Sequence, residues 1–573
     1  MGWLRGMGWA SGVVVLAAVW VAALAAWPSA VIDRGPDGST RLSPFPIALT
    51  AFDPLVWECA RNSLAVASAV AVGSIFLGVG LTLAAGRARP WGRLLLGSSA
   101  WVAMAAGPLL VAPGVALILG GPAGWEWLAA RSILGISAEG LVRWSALGWV
   151  GLAVGVPLVA MATASAMGRV DPSWAEAARA AGASRRRAWR DVVWPALRPE
   201  AARAGSAAFT IALVEPAGPM VLGLRRTLAV QMVEAAWRLD EPTRAATLAV
   251  LATAIAIVGR LAIGRWGGPS PVPQASEPPR ASPPPPAGRA LAFASGLVLL
   301  AWSAMAIGPV VALVGKAVEG GRGAGVGLGG WSAAARGWAS DPEARAWAVN
   351  SATTAGLAVG LDLIVLAGLV GGGPRVLGPA IRSAARAIEV IPPMAVGVGA
   401  LSVPWLLGAL ADPSGDGPGR WLRAAALELS PARSPGLLLV VALAAIRLPM
   451  LARAAELARA RDRPVMADAA RLLGSSRGDA SRMGEGRRLG AVPARPAVLA
   501  MALASTALAP ALILAPSPER RTLAPAAVGF LLEGGPIDPR ASGPIAAVLV
   551  VNLAGFAVAS RGRMGSIGAW YRG

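Results

Sequence analysis

The chain has 573 residues, of which 55% are hydrophobic and 14% charged, and its mean hydropathy is +0.59. Soluble domains carry about 25% charged residues, so this chain lacks the polar surface needed to face water on all sides. It contains no His and a single Cys, Cys59, which excludes His/Cys metal sites, disulfides and Cys/His nucleophile pairs. We expect an all-α polytopic membrane protein that has no catalytic residue, no metal and no cofactor.

Twelve apolar segments follow one another along the chain, and each can be compared with the ~20 residues that a helix needs to cross a bilayer. They lie at roughly 10–27, 63–85, 99–120, 144–167, 201–222, 245–264, 291–314, 349–371, 387–409, 436–454, 497–516 and 543–560. The first segment could instead be a secretory signal, but it lacks a small-residue cleavage site. A retained helix is favoured because the number of segments is then even.

A Pro/Ser-rich stretch at residues 267–288 separates the sixth segment from the seventh. Such a composition cannot form a packed element and is typical of a linker. The predicted organisation is a six-helix repeat at 1–264, a cytoplasmic linker at 265–289 and a second six-helix repeat at 290–573.

The net charge of +21 is explained by topology. When the N-terminus is placed in the cytoplasm and the segments alternate, the excess of arginine falls on the cytoplasmic side, as the positive-inside rule requires. Both termini are then cytoplasmic, the lipid bilayer is the surrounding partner, and no nucleic acid is needed to account for the charge.

Four landmarks recur in the same order in both halves, at offsets between 284 and 295 residues. They are Asn62-Ser63 with Asn350-Ser351, Pro108 with Pro392, Pro157 with Pro449, and Arg226-Thr-Leu-Ala with Arg521-Thr-Leu-Ala. Halves with an even number of spans share one topology and relate by an axis along the membrane normal. We therefore expect two parallel repeats, with the translocation pathway between them.

The two longest cytoplasmic loops of this topology carry related segments, DPSWAEAARAAG at 171–182 and RPVMADAARLLG at 463–474. In the first, Pro172 suits a helix start, and Ser173 and Glu176 have the spacing of a capping box. Gly182 suits a left-handed helix stop. A second short helix is predicted from about Ser184 to Pro195.

The chain has one lysine, Lys316, and no P-loop. A P-loop needs G-x-x-x-x-G-K-[ST], but Val310 stands at the position of the first Gly, and Ala317 follows the lysine. If ATP drives this protein, a separate subunit must hydrolyse it.

The first loop resembles the EAA loop of ABC transporter permeases, whose pattern is Glu-Ala-Ala, three residues, Gly, and about a dozen residues to a hydrophobic-Pro. Glu176, Ala177, Ala178, Gly182 and Pro195 match that pattern within residues 171–199, and 208–232 is similar to the ferric-iron branch with two fused halves. The resemblance implies the type I, methionine-importer-like permease fold. It also implies a bacterial inner membrane location, two cytoplasmic ABC ATPase subunits that receive the loops, and an external or periplasmic substrate-binding protein.

The second loop, at 463–496, departs from the pattern. Asp468 replaces Glu before Ala469 and Ala470, and the stretch from Gly474 to the next Pro is longer and Gly-rich. We therefore expect the two ATPase contacts to differ.

Three acids fall within apolar segments, where a charge usually faces a cavity or a partner. Glu215, before Pro216, has a substrate or gate role or else a helix-end role. Asp362 has a structural partner such as an Arg or Asn of a neighbouring helix, or else a ligand role. Glu389 is expected to form a local ion pair beside Arg386. Asn62 and Asn350 are expected to cap or bond helices.

The predicted function is the permease subunit of an ATP-binding-cassette importer of ferric-iron type. Thiamine or another small solute is the alternative substrate. A secondary active transporter with six-plus-six helices is the rival class, and a membrane scaffold accounts for the repeat but not for the paired loops.

Overall fold

Helices form most of the computed structural model, which describes residues 2–34, 40–88, 90–119, 132–133, 136–238, 242–269, 288–319, 340–371, 383–384, 387–411, 418–430, 435–472, 494–515, 520–534 and 542–560. Within these ranges the strands form two small antiparallel hairpins. Ile32–Arg34 pairs with Thr40–Leu42, and Ser132–Ile133 pairs with Ile136–Ser137. The all-α class predicted from the sequence is confirmed.

In chain order the helices are α1 (Gly2–Leu24), α2 (Ala26–Ser29), α3 (Phe45–Ala51), α4 (Pro54–Arg87), α5 (Pro90–Ile118), α6 (Ala138–Met167), α7 (Pro172–Ala180), α8 (Arg185–Ala188), α9 (Trp194–Val214), α10 (Ala217–Val221), α11 (Leu228–Trp237), α12 (Pro242–Gly267), α13 (Arg289–Glu319), α14 (Pro342–Gly371), α15 (Pro393–Leu410), α16 (Pro418–Glu428), α17 (Pro435–Leu472), α18 (Ala494–Ser505), α19 (Ala509–Leu514), α20 (Leu523–Gly534) and α21 (Ser542–Ser560). A π-helical turn spans Trp189–Val193, and a 3-10 turn spans Ile388–Val390.

Nine helices in the described part of the chain are long and apolar enough to cross a membrane. They cover Ala10–Ser29, Pro54–Arg87, Leu94–Ile118, Ala138–Met167, Thr243–Gly267, Arg289–Gly315, Pro342–Ala367, Pro393–Leu410 and Gly436–Ala455. Each overlaps one of the predicted apolar segments. The polytopic class is therefore confirmed, while the total of twelve crossings stays a prediction.

The fifth and eleventh predicted segments are each two helices rather than one. In 201–222 the helix α9 ends before Glu215, and α10 begins at Ala217. In 497–516 the helices α18 and α19 are separated by residues 506–508. Proline explains both breaks, because Pro216 and Pro510 lack the N–H that a continuing helix would need.

The chain divides into two compact units that differ from the predicted repeats. Unit 1 contains Met1–Trp57, Gln231–Thr253 and Pro342–Ala526, and unit 2 contains Glu58–Val230, Ala254–Asp341 and Ala527–Gly573. In unit 1, α1 packs on α14, α15 and α17, and in unit 2, α13 packs on α5. The first helix of each predicted half therefore packs with helices of the other half. The repeat boundaries at 264 and 290 describe the sequence and stay a prediction.

In each unit a glycine lets the helix that comes from the other predicted half, α13 in unit 2 and α1 in unit 1, approach closely. A Cβ at Gly114 of α5 would overlap the backbone carbonyl of Pro309 on α13. In unit 1 a Cβ at Gly399 of α15 would overlap the carbonyl oxygen of Ala22 on α1. Small residues are used in this way where membrane helices contact each other through their backbones.

Two of the recurring landmarks in unit 2 are hydrogen-bonded to each other. Asn62 Nδ2 donates to the carbonyl of Arg226 at 3.1 Å, and the N–H of Leu228 donates to Ser63 Oγ at 2.9 Å. Leu228 is the first residue of α11, so Ser63 satisfies an N–H that has no partner within that helix.

Unit 1 repeats the same bonds at the matching landmarks. Asn350 Nδ2 donates to the carbonyl of Arg521 at 3.2 Å, and the N–H of Leu523 donates to Ser351 Oγ at 2.8 Å. The prediction that the two asparagines bond helices is confirmed.

Replacing either close-approach glycine by alanine is expected to destabilise the protein. Gly114→Ala and Gly399→Ala force a backbone shift, and overpacking of this kind typically costs about 1–3 kcal/mol. Thermal unfolding in detergent, followed by size-exclusion chromatography, measures the effect. Gly80→Ala and Gly356→Ala are the controls, because nothing lies within 4 Å of a Cβ at either position. Equal melting temperatures for all four variants would contradict the close packing.

Candidate functional site

The short helix α7 begins with an aspartate cap. Asp171 is the N-cap residue, with extended backbone angles, and its Oδ1 accepts the N–H of Ser173 at 2.9 Å. The hydrogen bonds from Ser173 lower the pKa of Asp171. The cap is therefore fully present above the ordinary Asp pKa of about 3.9 and is lost only as pH falls through the lowered value.

The predicted capping box of Ser173 and Glu176 is wrong, because the helix starts two residues earlier than that box requires. Pro172, which was expected just upstream of the cap, occupies the first helical position. A proline keeps the preceding residue extended, so the cap falls on Asp171.

The helix α7 stops at Gly182, as the sequence predicts. The N–H of Gly182 donates to the carbonyl of Arg179 at 2.9 Å, and the N–H of Ala183 donates to the carbonyl of Ala178 at 3.0 Å. These two bonds form a Schellman motif. Gly182 has a φ of 89°, a left-handed conformation in which a Cβ is disfavoured.

One face of α7 is open to solvent. Glu176, Ala177 and Gly182 are exposed, whereas Ala178 is half-buried. Trp174 is 46% exposed on the same short helix, although its side chain is large and apolar. The face therefore combines small side chains, one carboxylate and one exposed aromatic ring.

The other side of α7 packs on α8 and on the π-helical turn. Ser184 Oγ accepts the N–H of Arg187 at 3.3 Å, so the second short helix starts where predicted. The prediction that it ends at Pro195 is wrong. The π turn leads directly into α9, and Pro195 lies in the first turn of α9, where its missing N–H needs no partner.

The base of the loop is fastened to α9 by charge and by aromatic contacts. Arg169 Nη2 lies 2.9 Å from Glu200 Oε1, and the Glu200 side chain is 9% exposed. Trp189 stacks on Trp194 with 5.6 Å between the ring centroids, and Trp194 meets Trp266 edge-on. These contacts join the segment before α7 and the π-helical turn after α8 to α9.

The second loop is described only in part. Asp468, Ala469 and Ala470 lie in the backbone of α17, which continues from an apolar span to Leu472. Residues 473–493, which include Gly474, lie outside the described residues, and so do the side chains of residues 456–472. The first copy differs in its backbone, because residues 168–171 separate α7 from the preceding span.

Glu215 lies at the break between α9 and α10. Its Oε1 accepts the N–H of Ala217 at 3.3 Å, so the carboxylate caps α10, and Pro216 is the N-cap residue. This geometry favours the helix-end role. The same carboxylate also lines a small cleft in unit 2, whose volume is about 390 Å³ when the adjoining open solvent is included.

The cleft is apolar apart from Glu215. Its other lining residues come from α4, α5, α6, α9 and α10, and they are Val66, Pro108, Leu147, Val150, Gly151, Val154, Gly155, Ala208, Ile211, Ala212, Gly218 and Pro219. Pro108 follows Gly107, whose φ of 60° interrupts α5. A kink next to a proline therefore contributes to the cleft.

Asp362 is fully buried on α14, within unit 1. Arg447 on α17 supplies an opposite charge in its surroundings, but neither oxygen of the Asp362 carboxylate has a hydrogen-bond partner among the described residues. The role of Asp362 stays a prediction. Glu389 forms its ion pair with Arg453, while Arg386 lies outside the described residues. Among the residues that the structure describes, no group of three or more Cys, Asp or Glu side chains can hold a metal ion.

One comparison with known proteins matches part of the chain. Residues 74–266 match the family of binding-protein-dependent transport system inner membrane components. The matched segment contains α7, its Gly182 stop and the Glu215 cleft-lining residue. No curated protein and no solved structure matched the chain.

Three residues of these sites were not assigned from the sequence. Asp171 carries a signal, since Asp before Pro is a common cap, and Trp174 is an aromatic residue on a polar helix. Arg447 carries none, because its hydrogen bond to the carbonyl of Leu503 joins two segments far apart in the chain.

The Asp171 cap predicts how the start of α7 responds to mutation. Asp171→Ala should speed hydrogen exchange of the first-turn amides of α7 roughly fivefold, as expected from the usual value of an N-cap. Hydrogen–deuterium exchange mass spectrometry measures this. Glu176→Ala is the matched control, and faster exchange in that variant alone would instead support the Ser173–Glu176 capping box.

Proposed function

We propose that the chain is the membrane-spanning permease subunit of an ATP-binding-cassette importer. The observation that carries the proposal is the exposed, doubly capped helix α7 inside the segment that matches the transport family. The other helices that are long and apolar enough to cross a membrane would form the transmembrane domain. The chain contributes no catalytic residue, and ATP is hydrolysed by two cytoplasmic ABC subunits.

The loop carries the coupling. One ATPase subunit binds the loop through Glu176, Ala177, Ala178 and Gly182. Pro195 lies where the loop joins α9. Slim alanine faces allow a partner backbone to approach closely, and the Arg169–Glu200 pair transmits its motion to α9. Asp468, Ala469, Ala470 and Gly474 form the second, unequal contact.

The fused-half organisation is part of the proposal. The paired hydrogen bonds of Asn62 and Ser63 in unit 2, and of Asn350 and Ser351 in unit 1, support it. Both halves also break their fifth apolar segment. Both termini are placed in the cytoplasm of a bacterial inner membrane.

Ferric iron is the proposed substrate, delivered by an external or periplasmic binding protein. The support is the resemblance of 208–232 to the ferric-iron branch and the six-plus-six layout. Glu215, Pro216 and Asp362 are the proposed pathway residues. Uptake of labelled ferric iron, with thiamine as competitor, distinguishes this substrate from the alternative.

Purification of the tagged chain from its native membrane tests the proposal. We expect ABC ATPase subunits to co-purify, as identified by mass spectrometry, and uptake in vesicles to stop on ATP depletion. Absence of any ATPase, together with uptake that survives ATP depletion but not dissipation of ion gradients, would establish a secondary transporter instead.

A substitution series at Gly182 tests the coupling loop. An alanine in the left-handed conformation costs about 1–2 kcal/mol, and proline cannot adopt it. ATP-driven uptake should fall in Gly182→Ala and be lost in Gly182→Pro, whereas Gly182→Asn should stay close to wild type because Asn tolerates this conformation. Membrane insertion should be unchanged in all three variants. Equal uptake rates in wild type and all three variants would contradict the loop's role.

Trp174 is expected to anchor the ATPase contact. Exposed aromatics at interface centres contribute about 2 kcal/mol or more, so Trp174→Ala should weaken ATPase binding at least ~30-fold. Titration of the solubilised complex with ATPase measures this. Trp421→Ala is the control, because Trp421 on α16 is 80% exposed outside the loop. Equal loss in both variants would argue against a specific anchor.

A further inference from the structure

The short helix α3 of unit 1 carries an exposed apolar stripe. Phe45, Leu49 and Phe52 are spaced by four and three residues, so they share one face of the helix and of the turn that ends it. Each of them is between 62% and 85% exposed, as is Leu42 just before the helix. Exposed apolar side chains gathered on one face mark a surface that a partner covers.

The segment that carries the stripe has no charge to offer a protein partner. Residues 42–52 contain no Asp, Glu, Lys or Arg. The first charged residue after them, Asp53, accepts the N–H of Leu55 at 2.9 Å and pairs with Arg244 at 3.1 Å, within unit 1. Interfaces between proteins surround their apolar centre with a polar rim, so this composition favours lipid over protein.

Polar groups of the same segment are bonded within it. Ser43 Oγ accepts the N–H of Phe45 at 3.1 Å, and Thr50 Oγ1 donates to the carbonyl of Pro46 at 2.9 Å. Both Pro44 and Pro46 lack an N–H, which removes donors that the start of a helix otherwise leaves without a partner. A segment of this kind suits lipid, which supplies no hydrogen bonds.

Hydrogen bonds fasten both ends of α3 beside the ends of membrane-crossing helices. The N–H of Ser43 donates to the carbonyl of Val31 at 2.7 Å, two residues after the first crossing segment ends at Ser29. Trp57 Nε1, in the first turn of α4, donates to the carbonyl of Ala51 at 2.6 Å. The helix α3 therefore lies close to the place where these helices meet the membrane surface.

Two exposed tryptophans flank α3 in the chain. Trp27 lies in α2, at the end of the first crossing segment, and Trp57 lies at the start of the next. Tryptophan is enriched at the boundary between membrane and water, because one end of its ring system is apolar and the other carries an N–H. Their positions agree with a boundary at the level of α3.

We propose that α3 is an interfacial helix whose stripe of Phe45, Leu49 and Phe52 lies in the membrane surface, with the lipid bilayer as its partner. An apolar segment of this length is too short to cross a bilayer and is typical of an interfacial element. In the proposed topology it contacts the external leaflet. The inference goes beyond the importer proposal, because it assigns a lipid-binding surface outside the coupling loop and the pathway.

Spin-label accessibility in bilayers tests the lipid contact. Phe45→Cys, Leu49→Cys and Phe52→Cys are made one at a time in a Cys59→Ala background, which removes the single native cysteine. Each folded, monodisperse variant is labelled with a nitroxide and reconstituted into vesicles of phosphatidylcholine and phosphatidylglycerol. Power-saturation electron paramagnetic resonance then compares collisions with oxygen, which concentrates in lipid, and with a water-soluble nickel chelate.

Two further cysteine variants calibrate the measurement. Phe76→Cys is the lipid reference, because Phe76 is 76% exposed within the membrane-crossing helix α4. Ala180→Cys on the exposed face of α7 is the water reference. We expect the oxygen-to-nickel collision ratio at each stripe position to exceed that at Ala180→Cys severalfold and to approach that at Phe76→Cys.

A collision ratio at the stripe equal to that at Ala180→Cys would overturn the lipid contact, because the stripe would then face water. Low collision rates with both reagents would overturn it as well, because protein would then cover the stripe. Spectral broadening that disappears on dilution with unlabelled protein would identify that cover as a second copy of the chain. The measurement needs neither ATP nor a partner subunit, so its failure is distinct from failure of the importer proposal.

Discussion

The hydrocarbon of a bilayer offers no hydrogen bonds to a polypeptide backbone, and this constraint underlies most features of the protein. A membrane-embedded chain must satisfy its N–H and C=O groups internally. Long uninterrupted helices such as Pro54–Arg87 do so by themselves. Where a helix is interrupted, a side chain meets the freed groups: Ser63 and Ser351 accept the first N–H of α11 and α20, and Glu215 accepts the N–H of Ala217.

The same constraint explains the contrast between α7 and its surroundings. A helix whose exposed face carries Glu176 and Arg179 cannot lie in hydrocarbon, so it must lie where water or a partner protein receives it. Its ends are closed by Asp171 and by the Gly182 motif rather than by neighbouring helices. A short helix that is capped at both ends in this way keeps its helical conformation without packing on neighbours on every side, so its exposed face can bind a partner.

Near-symmetry with local exceptions is the second theme of the structure. The asparagine and serine bonds recur in both units with nearly equal lengths, and a glycine admits the exchanged first helix in each. The exceptions are local: α7 is a separate short helix, whereas the backbone of Asp468, Ala469 and Ala470 continues the long helix α17.

Much was determined by the sequence alone, wherever the physical cause is local. Apolar length predicts nine of the helices, Gly182 predicts its helix stop, and Pro172 predicts its helix start, because each acts through its own backbone angles. Two wrong predictions also had local causes: the cap was predicted at Ser173 but lies at Asp171, and a helix end was predicted at Pro195 but the helix continues. In both cases neighbouring residues gave competing signals. The tertiary structure alone decided that α1 and α13 pack with helices of the other predicted half, that Glu215 lines a cleft, and that Asp362 is fully buried. These depend on contacts between segments far apart in the chain, and neither composition nor spacing records which apolar helix lies beside which.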